Sequence, residues 1–269
     1  ETGKPTLLFH STFMGAGVWP AMVQAAHARN RRIAMMLRPG FAPSSALAPE
    51  NSLKEFDDRI AADIGLAFAS LGWEAADLVG FGGGAAFAYR FASTHPGHVL
   101  GLRIYSPSPI FSATAQTGEA SGLAGAINVA ALASPEMVAA VSELFASSIS
   151  DSVLKALVET YYAPGTRDNT LLEKPGLMAF LKAQTAFALT DASKGVISDH
   201  ALLAAIKTLP TAGPDLDALI VLGEDDAVNR LTPKDPWLNL EDARCVRLAK
   251  AGHLDFFTDL GRILDALEL

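Results

Sequence analysis

Residues 76–94 read Ala-Asp-Leu-Val-Gly-Phe-Gly-Gly-Gly-Ala-Ala-Phe-Ala-Tyr-Arg-Phe-Ala-Ser-Thr, and their organisation decides the fold. The run 76–80 has the short apolar character of a buried strand, and 84–94 carries a helical pattern. Four glycines between positions 80 and 84 join the two. A strand that turns straight into a helix brings backbone close to backbone, which glycine permits because it has no Cβ. The same rhythm extends outward. Residues 6–10 and 32–37 form apolar runs, each followed by a turn-like segment, and 19–28 has helical spacing between them. A helix is expected over 52–71, where Ser52 and Glu55 form a capping-box pair and Phe56, Ile60, Ile64 and Phe68 recur on one face. Strands follow at 100–105, 217–223 and 244–248, and an amphipathic helix over 254–267 closes the chain. Strand–helix alternation with continuously apolar strands predicts an α/β fold with a mostly parallel, doubly wound sheet.

Half of the 269 residues are apolar and 19% are charged, ample for a buried core and incompatible with a disordered chain. The net charge is −8 and the densest basic run is Arg29, Arg31 and Arg32, so nucleic acid is not an expected partner. A single cysteine, Cys245, rules out an intramolecular disulfide and a cysteine-built zinc site, which fits a reducing, cytoplasmic setting. No apolar run reaches membrane-spanning length. No metal is expected, because the histidines are scattered and lack ligand spacing. The triple glycine is not a dinucleotide fingerprint, since Ala85 stands where the third glycine belongs, and no cofactor is expected. Glu1-Thr2-Gly3 reads as an expression remnant. Oligomeric state cannot be read from the sequence.

Glycines at 80, 82 and 84 occupy the frame of a strand-to-helix nucleophile elbow, G-x-S-x-G. Downstream stand Gly223-Glu224-Asp225-Asp226 at a strand end and Gly252-His253 before the last helix. Upstream are His10-Ser11-Thr12 and Arg38-Pro39-Gly40-Phe41-Ala42-Pro43-Ser44. In this order the motifs resemble the α/β-hydrolase superfamily over nearly the whole chain. The resemblance implies a core of residues 4–106 and 214–269 and an inserted helical cap of 107–213, within which 112–134 is rich in Ala, Ser and Gly. It also implies an oxyanion loop at His10-Ser11-Thr12, where Ser11 replaces a family glycine, and a trimmed or compact N-terminus lacking the customary first strands. Asp226 and His253 take the acid and histidine positions, and Thr12 and Gly83 those of the oxyanion hole.

The nucleophile position holds Gly82, and a site without a nucleophile loses on the order of 10⁶ in turnover. Serine-type hydrolysis is therefore not expected of the chain as written. Three readings stay open. Glycine relieves elbow strain in a protein that no longer needs the nucleophile, and the elbow locally resembles that of the N-myc downstream-regulated proteins. Alternatively, His253 and Asp226 act as a general base, with room at position 82 for a water or substrate oxygen. Or a parental serine has been replaced deliberately to trap a ligand. The expected ligand is a small, mostly hydrophobic organic molecule bound under the cap, with Phe13, Phe81, Tyr161 and Tyr162 as candidate contacts. The alternative is a catalytically silent ligand-binding or scaffold protein. His10 reads as a structural hydrogen-bonder, and His27, His95, His98 and His200 as surface residues.

Overall fold

Six strands run parallel in one sheet: β1 (Lys4–Phe9), β2 (Arg31–Met36), β3 (Ala76–Gly82), β4 (Val99–Pro107), β5 (Ala218–Gly223) and β6 (Ala243–Leu248). Their spatial order is β2-β1-β3-β4-β5-β6. The computed structural model describes residues 3–14, 17–47, 52–110, 137, 140, 150–162, 166–191, 194–206, 208–210, 216–231 and 233–269. Of the expected expression remnant Glu1-Thr2-Gly3 only Gly3 is among them, and the 112–134 stretch lies outside them.

Alternation along the strands separates two cores, as the two-residue side-chain period requires. Leu7, Phe9, Leu78, Leu102, Ile104 and Ile220 face one side, and Leu8, Val79, Tyr105, Leu219 and Val221 face the other. On the first side lie α2 (Leu53–Leu71) and α3 (Gly84–Thr94). The capping box of α2 is present: Ser52 Oγ accepts from Glu55 N, and the Glu55 carboxylate accepts from Ser52 N at 2.7 Å. Phe56, Ile60, Ile64 and Phe68 are its buried face, as their spacing predicted. On the second side lie α1 (Pro20–Ala28) and the C-terminal helices.

The single helix expected over 254–267 is two short ones, α8 (Asp255–Thr258) and α9 (Leu260–Ala266). They part at Asp259, whose φ of −144° leaves the helical region. The break brings Phe256, Leu260, Ile263 and Leu267 onto the same sheet surface.

Between β4 and β5 the described residues form α4 (Asp151–Tyr161), α5 (Arg167–Leu171), α6 (Leu177–Ala188) and α7 (Lys194–Ala205). The first three pack among themselves and onto Val228, Leu254 and Phe41. Helix α7 differs, because its Leu202 and Leu203 join the core of the sheet. His200 on α7 is buried, contrary to the expectation of a surface residue. Its Nδ1 donates to Val196 O at 2.8 Å, as the preceding helical turn allows, and burial pushes its pKa down to about 4. No described helix is long and apolar enough to cross a membrane.

The chain moves from β1 outward to β2, then returns to β3 on the opposite side of β1. Loops at the carboxyl ends of β1 and β3 therefore diverge, and the crevice between them is where such sheets bind ligands. Residues 10–12 and 82–83 sit there.

Candidate active site

The 249–254 loop after β6 presents His253, and the turn after β5 presents Asp226. Asp226 is buried, whereas its neighbours Glu224 and Asp225 are exposed. One oxygen of Asp226 accepts from Val228 N and Asn229 N, both at 2.9 Å. The other lies 3.3 Å from His253 Nδ1 and accepts from the Ser106 hydroxyl. Ser106 Oγ is itself 3.0 Å from His253 Nδ1. With the Ser106 proton committed to Asp226, Oγ is an acceptor toward the imidazole. These two Nδ1 neighbours are then acceptors, and the third, Asn229 Nδ2 at 3.5 Å, already donates to Ser106 O. The proton therefore belongs on Nδ1, leaving the Nε2 lone pair free. Asn229 completes the arrangement by donating to Ser106 O at 2.7 Å. Burial alone would raise the Asp226 pKa. The His253 imidazole, with donors from His253, Asn229 and Ser106, brings it below the ordinary carboxylate value.

Phe81 is packed rather than open. Its ring lies 4.6 Å from that of His253 and 4.4 Å from that of Phe256, so it forms the platform for the imidazole. The next residue, Gly82, has φ +55°, a left-handed conformation that costs an L-residue about 1–2 kcal/mol. The room expected at position 82 is taken: a Cβ there would overlap Ser11 Oγ and lie 2.8 Å from Ser11 Cβ. The hydroxyl can rotate away, but the Ser11 Cβ cannot without main-chain movement. A Cβ on Gly83 would likewise overlap Thr12 Oγ1. Among the described residues, neither Thr12 N nor Gly83 N donates to a backbone carbonyl, which leaves both amides available for an oxyanion.

Beside the elbow lies a buried charge cluster that the sequence did not disclose. Arg38 Nη1 is 2.7 Å from Asp199 Oδ2, and both side chains are inaccessible to solvent. The Arg38 guanidinium sits 5.1 Å from the Phe41 ring and 4.8 Å from the Phe87 ring. Burial pushes the Asp199 pKa up to about 6 despite Arg38. His10 Nδ1 lies 2.9 Å from Ser11 O and 3.3 Å from Arg38 Nη2, and a neutral imidazole bonds only one of them at a time. Burial, followed by the Arg38 charge, holds the His10 pKa well below its usual value. His10 is thus buried, with its Nδ1 facing the loop backbone and Arg38.

A second unforeseen group comes from α5. Asp168 is buried, and its carboxylate accepts from His253 N at 3.0 Å and Leu254 N at 2.7 Å. Its neighbour Arg167 forms two bonds to Asp255, at 2.7 and 2.8 Å, and Asp255 also accepts from Gly252 N at 2.6 Å. The histidine loop is thereby tied to α5. Of the candidate contacts, Phe13 and Tyr161 meet at 5.2 Å, and Tyr162 lies 6.1 Å from the His253 ring. Burial raises the pKa of both tyrosines, so they stay neutral.

Asp168 makes a pH-dependent prediction. Burial and the Asp226 charge raise its pKa to about 6. The folded chain therefore binds this proton more tightly than the unfolded one, and the resulting stability is lost as pH rises from about 4 to about 6. Asp168→Asn lacks the titration. In urea unfolding, the wild-type advantage over this variant is expected to shrink by on the order of 2 kcal/mol between pH 4 and pH 7. An unchanged or growing advantage would overturn the assignment.

No protein-family description matches the chain, and no curated protein is similar to it in sequence. Solved structures do resemble it. A probable hydrolytic enzyme from Pseudomonas aeruginosa PAO1 superposes with a TM-score of 0.67 at 18% identity, over 99% of this chain and 84% of that one. The enol-lactonase from Burkholderia xenovorans LB400 does so with 0.67 at 16% identity, over 99% and 92%. An alpha/beta hydrolase fold protein from Nakamurella multipartita gives 0.60 at 21% identity, over 98% and 93%. A six-stranded parallel sheet flanked by helices, with Gly82 at the end of β3, Asp226 after β5 and His253 after β6, superposing on these proteins along nearly its whole length, has the α/β-hydrolase fold.

Proposed function

We propose that the chain is an enzyme of the α/β-hydrolase superfamily that acts on a small, mostly hydrophobic organic ligand through the His253–Asp226 pair as general base, within a core of 4–106 and 214–269 capped by 107–213. The observation that carries this reading is the hydrogen-bonding of His253 Nδ1. Asp226 and Ser106 fix the tautomer, so Nε2 is free to take a proton, and a silent scaffold has no need of that order. Thr12 and Gly83 supply the amides for a developing oxyanion. Two of the structurally similar proteins are described as an enol-lactonase and as an enzyme degrading N-acyl homoserine lactones, which makes esters and lactones the first substrates to try.

Nitrophenyl esters and lactones assayed with wild type and His253→Ala test it. Loss of the base should lower turnover by at least about 10²-fold. Equal rates for the two proteins would defeat the reading.

Gly82 favours a second reading, a catalytically silent protein of cytoplasmic setting that binds a ligand without turning it over, as the local elbow likeness to the N-myc downstream-regulated proteins implies. Ligand affinity by calorimetry, with no product in any assay, would be its signature. The mutual fit of Gly82 and Ser11 supports a site shaped with both residues in place over a lone replacement of a parental serine.

A further inference from the structure

We propose that Ser11 supplies the reactive hydroxyl of this site and forms an acyl-enzyme with esters or lactones of small hydrophobic acids. The inference deepens the His253–Asp226 reading and rests on it. A side chain built on Gly82 would begin where Ser11 Oγ already stands, so the hydroxyl enters the elbow space from the opposite wall. The main chain that carries it is fixed: Ser11 O accepts from Met14 N at 3.1 Å and lies 2.9 Å from His10 Nδ1. Its Oγ makes no hydrogen bond to a described residue.

The residues that would act on this hydroxyl are linked to it through Gly82. Phe81, which immediately precedes Gly82, supports the His253 ring, whose Nδ1 is turned toward Asp226 and Ser106. Thr12 N and Gly83 N, each one residue on from the Ser11–Gly82 contact, donate to no described backbone carbonyl. Ser11 is only 5% exposed, and electrostatic stabilisation is stronger in such a water-poor setting than in bulk solvent. In the reaction, His253 Nε2 takes the Ser11 proton as Oγ bonds to the carbonyl carbon. The carbonyl π pair moves to oxygen, where the two amides hold it. Collapse breaks the bond to the leaving alkoxide, which takes the proton from His253. Water then attacks the acyl group by the same route, releasing the acid and restoring the Ser11 hydroxyl.

The test is to treat the full chain with a fluorophosphonate probe and map the adduct by peptide mass spectrometry. One adduct on Ser11 is expected, absent in Ser11→Ala and slowed at least 100-fold in His253→Ala, both checked for wild-type melting behaviour. Mapping on the wild type does not depend on either variant folding. No adduct, or an adduct on another residue such as Ser106, overturns the proposal. Ester turnover separates this inference from its foundation. If Ser11→Ala keeps turnover that His253→Ala abolishes, Ser11 is a filler and the base reading stands. If His253→Ala keeps it, the base reading falls and the proposal with it.

Discussion

Gly82→Ser alone is expected to lower stability by about 2–5 kcal/mol and to leave the new hydroxyl crowded against Ser11. Two costs combine. The left-handed backbone at position 82 strains any L-residue by about 1–2 kcal/mol, and crowding a packed site adds about 1–3 kcal/mol. The crowding comes from Ser11, whose Cβ would lie 2.8 Å from the new one. Ser11→Gly should remove that contact, so the double variant is expected to recover the crowding cost and keep only the backbone strain. It should also accept a fluorophosphonate at position 82, because His253, Asp226 and the Thr12 and Gly83 amides are untouched. Urea denaturation with adduct mapping checks both halves. A single variant as stable as wild type would show that the loop yields freely and that the two positions are not coupled.

Arg38→Met should cost about 3–5 kcal/mol, the usual consequence of leaving a buried charge without its partner. Asp199 is fully buried and its pKa already stands near 6 with Arg38 beside it, so removing the guanidinium must raise it further. The folded variant then holds a proton that the unfolded chain releases near pH 4, and its penalty grows as pH rises. Unfolding at pH 5 and pH 8 should show the larger loss at pH 8. Arg38→Met combined with Asp199→Leu should recover most of it, because a neutral pair leaves no orphaned charge. A loss below about 1 kcal/mol at pH 8 would mean that water reaches Asp199.

Local signals in the sequence were enough for the sheet and for part of the site. Ser52 and Glu55 cap α2 because the partners lie three residues apart, and Phe56 to Phe68 share a face because the helix repeats every 3.6 residues. Asp226 and His253 are legible from their places after strands. Arg38, Asp199, Asp168 and Ser106 are not, because each acquires meaning from a residue tens to more than a hundred positions away. His200 escaped for the same reason, since its burial depends on how α7 meets the sheet. The fit of Ser11 with Gly82 did leave a trace: a serine stands where the superfamily has glycine, and a glycine where it has serine. Two departures that exchange size across one contact are worth more together than apart.

The bonds from α5 to the 252–255 backbone bear on how a ligand can enter. Asp168 and Arg167 secure the amides of Gly252, His253 and Leu254 directly or through Asp255. Lifting α5 to admit a molecule would therefore remove the backbone bonds at His253 and Leu254, leaving only the Asp226, Ser106 and Phe81 contacts to hold the imidazole. Admission and readiness are thermodynamically opposed at this edge. A molecule that enters while α5 stays seated meets His253 fully held, whereas one that must pry it open forfeits part of its own binding energy to restore those bonds.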